Sequence, residues 1–350
     1  MISWNTTAAC NLSCRHCYRD AGSKGSRELT TGEGFKLLDQ IAALGFRLMI
    51  LSGGEPLMRE DIFELVSHAA GLGLRTVLGT NGTLITEDTA RHLRAAGLSR
   101  VGISIDSCNE RDHDAFRQHE GAFREALAGI ESCRAAGLPF QIHTTVRDEN
   151  RREAGGLTDM AVSLGAKAHH IFFLVPVGRA ASMEEEQLKV RDHEKLLSAI
   201  VDKAKECPIE LKPTCAPTFM RIAKEKGLAT RFTRGCLAGL SYCVILPEGD
   251  VHPCPYLPLS AGNVRERTLS EIWNSSEVMR TLRMEEYKGR CGSCSSKELC
   301  GGCRARAYFA AGGDYMASDP WCLKKRDMGP EKKDNLPAEG ENNDPGPGAL

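Results

Sequence analysis

The sequence predicts an α/β fold, a partial (β/α)6 barrel followed by a cysteine-rich C-terminal extension. Through the first half of the 350 residues, short apolar runs of β type alternate with amphipathic helical segments. The chain then changes character, because the segment 236–322 holds eight of the 15 cysteines and is punctuated by Gly and Pro. So loop-rich a segment has little apolar core of its own and is expected to need bound metal to fold.

Parallel βα units joined by right-handed crossovers curl a sheet towards a barrel, with functional residues at the carboxyl ends of the strands. The predicted strands are 2–6, 48–52, 76–79, 101–105, 140–146 and 168–175. The predicted helices are 31–44, 61–72, 87–96, 121–136 and 151–164. The predicted domains are a barrel core at 1–185, a helical connection at 186–235 that includes a helix over 192–205, a cysteine-rich domain at 236–325 and a disordered tail at 326–350.

Composition excludes some classes of partner. Lys and Arg number 45 against 46 Asp and Glu, so net charge gives no general attraction to nucleic acid or to an anionic membrane. No apolar run approaches the ~20 residues that span a bilayer. We therefore expect binding to neither nucleic acid nor membrane. No secretory signal is readable before Cys10, which predicts a cytoplasmic protein. An odd cysteine count in a reducing compartment favours metal or redox sites over disulfides.

A C-x3-C-x2-C motif follows the first predicted strand, formed by Cys10, Cys14 and Cys17. Thiolates are the usual ligands of iron–sulfur clusters, and three of them leave one iron of a four-iron cluster open to a small molecule. A zinc knuckle or three unrelated thiols remain alternatives on this spacing alone.

Together with Gly53-Gly54-Glu55-Pro56 after the second strand, the motif resembles the radical S-adenosylmethionine (SAM) superfamily. The resemblance implies that SAM binds the open iron and is cleaved to a 5'-deoxyadenosyl radical. It also implies a SAM site at the strand ends. Some of its residues have alternative roles: Asn81 as an ordinary loop residue, Asp106 as a helix cap, and His16 and Tyr18 as aromatic residues that shield the cluster from water. The implied SAM-binding residues are His16, Tyr18, Gly53, Gly54, Glu55, Pro56, Asn81, Ser104 and Asp106.

The C-terminal cysteines resemble the SPASM extension, which carries two auxiliary four-iron clusters. By that resemblance Cys236, Cys243, Cys254 and Cys303 hold one cluster, and Cys291, Cys294, Cys300 and Cys322 hold the other. The spacing departs from many members, because two residues rather than three separate Cys300 from Cys303. A zinc ribbon of Cys291, Cys294, Cys300 and Cys303 is the alternative, and Cys243 is alternatively a core thiol. Cys108, Cys133 and Cys207 are expected to be packing residues, and Cys215 has no clear place.

Several further segments resemble the tetrapyrrole-modifying group of radical SAM enzymes. They are 143–146, 172–179, 212–217 and 233–239, and residues 1–7 with 171–179 most resemble the haem synthases of that group. This implies oxidative decarboxylation of two propionates of iron-coproporphyrin III, or of a related tetrapyrrole, to vinyl groups. A ferredoxin or flavodoxin would supply electrons, and an auxiliary cluster is a candidate to accept the electron that the substrate releases.

Other functions remain open on the sequence. They are a didecarboxysirohaem deacetylase, a haem d1 maturase, a peptide-maturing SPASM enzyme, and a cluster-bearing electron carrier or zinc-binding module. Only nine residues precede Cys10, which leaves no room there for a peptide-recognition domain and disfavours the peptide enzyme. Candidate partners of the substrate propionates are Arg179, Lys212 and Arg234, and candidate ligands of its iron are His143, His169 and His170. The alternative for all six is an ordinary structural role.

Overall fold

A computed structural model describes residues 1–324, so the predicted disordered tail at 326–350 lies outside the described residues. One ten-stranded sheet runs in the order β10-β9-β8-β1-β2-β3-β4-β5-β6-β7. The strands are β1 (Ile2–Thr7), β2 (Leu48–Gly53), β3 (Arg75–Thr80), β4 (Arg100–Ser104), β5 (Phe140–Val146), β6 (Ala168–Phe173), β7 (Glu210–Thr214), β8 (Cys243–Ile245), β9 (Asp250–His252) and β10 (Gly262–Asn263).

Helices connect the strands and continue into the cysteine-rich region. They are α1 (Thr31–Ala43), α2 (Ile62–Gly71), α3 (Glu87–Ala95), α4 (Glu110–Arg117), α5 (Ala122–Ala135), α6 (Ala154–Leu164), α7 (Val190–Ala204), α8 (Thr218–Glu225), α9 (Leu269–Ser275), α10 (Glu277–Met284), α11 (Gly289–Gly292), α12 (Lys297–Cys300) and α13 (Arg304–Ala310). Short 3₁₀ turns lie at Pro56–Met58, Arg151–Glu153 and Gly178–Glu186. Within residues 1–324, no helix combines the length and apolarity needed to cross a bilayer.

The predicted α/β architecture is confirmed. All six predicted runs form strands, and β1 to β6 lie side by side in chain order with parallel pairing. The sheet has two ends, β7 and β10, so it forms an open barrel. This arrangement brings the carboxyl ends of the parallel strands to one edge, where the sequence predicts the site.

Alternation along the strands separates a helix-facing side from an interior side. On β5, Ile142 and Thr144 are buried beneath the helices while His143 and Thr145 between them are partly exposed. Successive side chains of a strand point to opposite faces, so the partly exposed set faces the barrel interior. The main core lies between the sheet and the outer helices, and includes the fully buried Trp4.

Two sheet features were not predicted. Strand β7 lies within the predicted helical connection and contains Pro213, a residue that usually argues against a strand. Here Pro213 is tolerated because β7 is at the end of the sheet and pairs only with β6. Strand β8 of the cysteine-rich region pairs in parallel with β1, so the extension continues the barrel sheet.

Candidate functional site

The three-cysteine motif lies in the loop that leaves β1 at the carboxyl edge of the sheet. Backbone bonds from Cys10 N to Gly22 O (2.8 Å) and from Gly22 N to Ala8 O (3.0 Å) close this loop. Arg179 ties it further, because its Nε donates to Cys14 O (3.0 Å) and its Nη1 donates to Ala21 O (2.7 Å). Arg179 therefore supports the loop and is not free at a propionate site.

Hydrogen-bond donors surround the thiols of Cys10, Cys14 and Cys17, here called the loop thiols. Leu12 N lies 3.5 Å from Cys10 Sγ, and Ala21 N lies 3.4 Å from Cys17 Sγ. Burial, together with the negative charges of Glu55, Cys14 and Cys17, raises the pKa of Cys10 to about 11. Thiols that lie close enough for their charges to interact, with N–H donors at their sulfurs, fit an iron–sulfur cluster. The stability and the reduction potential of such a cluster depend on hydrogen bonds to its sulfurs.

Asp106 and Arg117 form a buried ion pair behind Cys14. Arg117 Nε donates to Asp106 Oδ2 at 2.7 Å, and Arg117 Nη1 lies 3.8 Å from Cys14 Sγ. Thr145 N donates to the other carboxylate oxygen at 2.7 Å. Asp106 thus has protein partners on both oxygens, and Arg117 is a site residue that the sequence did not reveal because it lies in the very polar helix α4.

The Gly53-Gly54-Glu55-Pro56 segment crosses the start of the cysteine loop. A Cβ on Gly54 would lie 2.2 Å from Ala9 O, and one on Gly53, whose φ is +133°, would lie 2.5 Å from Thr7 O. Glu55 N then donates to Ala9 O at 2.7 Å. In this structure the two glycines are therefore required by contact with the cysteine loop itself.

The Glu55 carboxylate is fully buried and fully engaged. It accepts hydrogen bonds from Thr80 Oγ1 (2.7 Å), Asn81 N (2.9 Å) and Leu57 N (3.1 Å). Burial nevertheless raises the pKa of Glu55, because the free-energy cost of desolvating the carboxylate exceeds the stabilisation that these hydrogen bonds provide. Glu55 holds the ends of β2 and β3 together next to the loop thiols, and Pro56 begins the following 3₁₀ turn.

The other predicted SAM-binding residues lie around the same edge. Asn81 Nδ2 donates to Asn11 Oδ1 (2.8 Å), and Ser104 Oγ donates to Thr80 O (3.3 Å). His16 stacks on Phe116 with centroids 4.0 Å apart, and burial lowers the pKa of His16 to about 3, so the ring is neutral. Its Nδ1 is buried without a hydrogen bond in residues 1–324.

Tyr18 leads from the cysteine loop into the C-terminal region. Its hydroxyl donates to Asn5 Oδ1 (3.1 Å), and its ring packs 5.4 Å from that of Tyr256. Tyr256 in turn hydrogen-bonds the thiol of Cys215. Two tyrosines therefore lie between the loop thiols and a second group of cysteines.

That second group, here called the joint thiols, is Cys215, Cys236, Cys254 and Cys303. Burial raises the pKa of Cys254 well above its ordinary value, and the nearby thiols of Cys215, Cys303 and Cys236 raise it further. Cys215 has the same neighbours, and burial raises its pKa to about 12. Its backbone lies in the left-handed region (φ +60°), a strained conformation of the kind found at functional sites.

Cys243 does not belong to the joint thiols, although the sequence analysis placed it there. It is fully buried in the main core on β8, with the N-terminal amine and Arg283 as its electrostatic neighbours. Cys243 is separated from the joint thiols because it occupies a fully buried strand position, where its side chain packs as a small apolar group. Cys215 takes its place in the group. The signal in the sequence was weak, a single cysteine between two prolines.

Four other cysteines line one cavity, as the sequence analysis expected for one set. The cavity has a volume of about 40 Å³, several times what one water molecule needs. Asp319 N lies 3.4 Å from Cys291 Sγ and Ser296 N 3.4 Å from Cys294 Sγ, repeating the donor pattern of the loop thiols. These cavity thiols are Cys291, Cys294, Cys300 and Cys322. The zinc-ribbon alternative is disfavoured, because it requires Cys303, which lies among the joint thiols.

Two of the remaining candidates, Arg234 and His169, have structural partners. Arg234 Nη1 pairs with Glu285 Oε1 at 2.7 Å, and the ring nitrogens of His169 contact Thr158 Oγ1 (3.0 Å) and Thr144 Oγ1 (2.9 Å). All 15 cysteines are free thiols. In the described part of the chain, no three His, Cys, Asp or Glu side chains are arranged to share one metal ion. The three groups consist of thiols alone, the donor type of four-iron clusters.

Comparison with known proteins identifies the family. Residues 4–161 match the model of the radical SAM superfamily, and residues 236–304 match SPASM, an iron–sulfur cluster-binding domain. The chain is 46% identical to the "AdoMet-dependent heme synthase" of Methanosarcina barkeri over 92% of this chain and 96% of that one. It is 42% identical to the "AdoMet-dependent heme synthase" of Nitratidesulfovibrio vulgaris over 94% of both.

Solved structures agree at the level of the fold. Streptococcus suis SuiB bound to its precursor peptide SuiA superposes with a TM-score of 0.75 over 92% of this chain and 75% of that one, at 17% identity. The family and relative matches confirm the three resemblances stated from the sequence, to radical SAM proteins, to the SPASM extension and to the haem synthases. The chain belongs to the radical SAM superfamily, in the family of these two heme synthases, and carries a SPASM iron–sulfur domain after its barrel.

Proposed function

We propose that the enzyme converts two propionate side chains of iron-coproporphyrin III to vinyl groups and so produces haem b. The observation that carries this proposal is the likeness to heme synthases along nearly the whole chain, which spans all three thiol groups. When bound, SAM and the cluster supply a radical that removes a hydrogen atom from the propionate β-carbon, after which carbon dioxide and one electron leave.

The residues of the chain have distinct roles in this proposal. The loop thiols hold the cluster that binds SAM, and the joint and cavity thiols hold two auxiliary clusters. Glu55, Asn81 and Ser104 shape the SAM site at the ends of β2, β3 and β4, with His16 and Tyr18 beside it. Asp106 acts through Arg117, since its own oxygens are occupied. Gly53 and Gly54 position the SAM site by their contact with the cysteine loop, and Pro56 begins the 3₁₀ turn that follows.

The cellular setting and the domain division are part of the same proposal. A ferredoxin or flavodoxin supplies electrons in the cytoplasm, where a chain with 15 free thiols remains reduced. Residues 1–185 form the radical SAM core, 186–235 the connection and 236–325 the auxiliary-cluster domain. Because β7 belongs to the barrel sheet, the connection also contributes its end strand.

The test is a product assay under strictly anaerobic conditions. Reconstituted enzyme receives SAM, dithionite and iron-coproporphyrin III, and mass spectrometry should detect a monovinyl intermediate followed by haem b. The Cys14→Ala variant is the matched control and should form neither 5'-deoxyadenosine nor haem b. If the wild-type enzyme forms 5'-deoxyadenosine but leaves the porphyrin mass unchanged, the substrate is wrong. Didecarboxysirohaem, offered in parallel, tests the related deacetylase activity.

A further inference from the structure

A row of polar side chains crosses the barrel interior on β5, β6 and β7. His143 is the register partner of His170, which is in turn the partner of Lys212. Register partners on parallel strands point to the same face of a sheet. All three side chains are partly exposed, whereas their neighbours on the opposite face are buried beneath the helices: Ile142, Ile171 and Leu211. This interior row therefore borders water inside the barrel.

The ammonium of Lys212 has no carboxylate partner among residues 1–324, although the Cys215 thiolate acts on it and raises its pKa. Its Nζ lies 4.9 Å from the centroid of the Phe232 ring, a cation–π contact, and makes no ion pair with any described carboxylate. Burial lowers the pKa of Lys212, as expected of an ammonium group held away from bulk water. Arg179 and Arg234, the other predicted propionate partners, are engaged elsewhere. Of the three, Lys212 alone keeps its charge available.

The charges around the interior row favour an anion. Burial lowers the pKa of His170 well below its ordinary value, and Lys212, His169, Arg100 and Arg231 lower it further, so the imidazole is neutral. One carboxylate, that of Glu210, lies 3.5 Å from His170 Nε2, but it is paired with Arg231. The Gln141 side-chain nitrogen lies 2.7 Å from His143 Nε2 and fixes that ring. The row thus offers one ammonium and two polar rings to a ligand.

We propose that Lys212 binds a carboxylate side chain of the tetrapyrrole substrate inside the barrel, with His143 and His170 as flanking hydrogen-bonding groups. A carboxylate paired with an ammonium gains a charge-assisted hydrogen bond, a contact that no described carboxylate makes with Lys212. His143 is also the register partner of Ser104 at the end of β4, so the row continues from the SAM site across β5, β6 and β7, and a propionate would lie beside that site. The inference rests on the proposed function, which provides the propionates.

Binding rather than turnover tests this subsite. The reconstituted holoenzyme, without SAM or reductant, is titrated with iron-coproporphyrin III and followed by its absorbance. Lys212→Gln should weaken binding about 10- to 100-fold, the range for a lost hydrogen bond to a charged group. Lys212→Arg should restore most of the affinity. Lys195 has an exposed side chain on α7, so Lys195→Gln is the matched control and should bind iron-coproporphyrin III like the wild type.

A second ligand isolates the carboxylate. The tetramethyl ester of iron-coproporphyrin III has no charged side chains, so wild type and Lys212→Gln should bind it equally. If Lys212→Gln binds the free acid as tightly as the wild type does, the subsite is wrong and the proposed function stands. If the wild-type enzyme does not bind the free acid at all, both are wrong. Because the Cys215 thiolate also acts on Lys212, iron and sulfide are measured in each variant. Loss of iron with unchanged affinity would assign Lys212 to the joint thiols and overturn the inference.

Discussion

A single guanidinium group connects the frame of the barrel to one of the loop thiols. Arg117 is only 8% exposed, pairs with the fully buried Asp106 and reaches the Cys14 sulfur. A buried ion pair is costly to break from one side, because the remaining charge has no partner. Arg117 therefore both stabilises the fold at this edge and places positive charge beside the cluster site.

We expect Arg117→Gln to lower the reduction potential of the SAM-binding cluster, since positive charge and N–H donors at cluster sulfurs raise that potential. Potentiometric titration monitored by electron paramagnetic resonance measures it. The variant should also lose about 3–5 kcal/mol of stability, because Asp106 is left buried without its partner. The double variant Asp106→Asn/Arg117→Gln should recover stability but keep the lowered potential. An unchanged potential in both would contradict the electrostatic role, and exposed Arg124→Gln is the control.

His193 makes the stability of the fold sensitive to acid. Its ring lies between Phe173 (4.8 Å) and Trp321 (4.9 Å), and neither ring nitrogen has a hydrogen bond among residues 1–324. Burial lowers the pKa of His193 to about 3, against an ordinary value of 6.5. The unfolded chain therefore binds a proton between these values that the folded chain does not, and stability falls as pH drops from about 6.5 towards 3.

His193→Phe should remove this contribution while it preserves the aromatic packing. By linkage, the wild type should lose about 1.4 kcal/mol relative to the variant between pH 7.5 and 5.5. Anaerobic thermal unfolding at the two pH values measures the difference. Equal pH dependence in both proteins would show that the ring takes up its proton in the folded state, contrary to its burial.

At the level of whole elements, the contact between the β2 end and the cysteine loop determines the shape of the site. The Gly54→Ala variant places a methyl group 2.2 Å from Ala9 O, so the loop must move away from Glu55. We expect weaker SAM binding and a smaller spectral change of the cluster on SAM addition. Gly71→Ala, at the end of α2 with nothing within 4 Å of the new methyl, is the control and should be neutral or stabilising. A Gly54→Ala enzyme with wild-type SAM affinity would contradict this account.

The strands that bury one full face were the predictable elements. Runs such as that of β5 carry apolar or β-branched residues at every second position, so six strands and the helices between them follow from periodicity. Strand β7 breaks the pattern with Pro213, and α4 has almost no apolar face, so neither is visible in local sequence. Both depend on contacts that form only when distant parts of the chain meet.

The loop thiols and the cavity thiols were predictable because their members are close in sequence or follow a family spacing. The joint thiols were predicted only in part, because Cys236, Cys254 and Cys303 were named and Cys215 was not. Cys215 and Cys243 are both isolated cysteines, and what distinguishes them is the strand pairing that buries Cys243 beside β1. Sequence spacing contains no information on that pairing.

For the molecule as a whole, the pair Cys215→Ala and Cys243→Ala tests which cysteines form the auxiliary sites. Wild-type protein should contain about twelve iron atoms, as expected for three four-iron clusters. Cys215→Ala should lower iron and sulfide by about a third, since one cluster loses a ligand. Cys243→Ala should keep the full content and lose only packing energy. The reverse result would return Cys243 to the ligand set and contradict the assignment of Cys215.

The pairing of β8 with β1 also affects how the enzyme is made. Strand β1, which leads directly into Cys10, has β2 on one side, and its other edge is covered only by residues 243–245. During synthesis that edge stays open until the chain has grown past β8, and open strand edges invite pairing between nascent chains. Metal delivered before that stage would meet an unfinished loop, so correct iron loading is expected only after β8 has emerged and paired with β1.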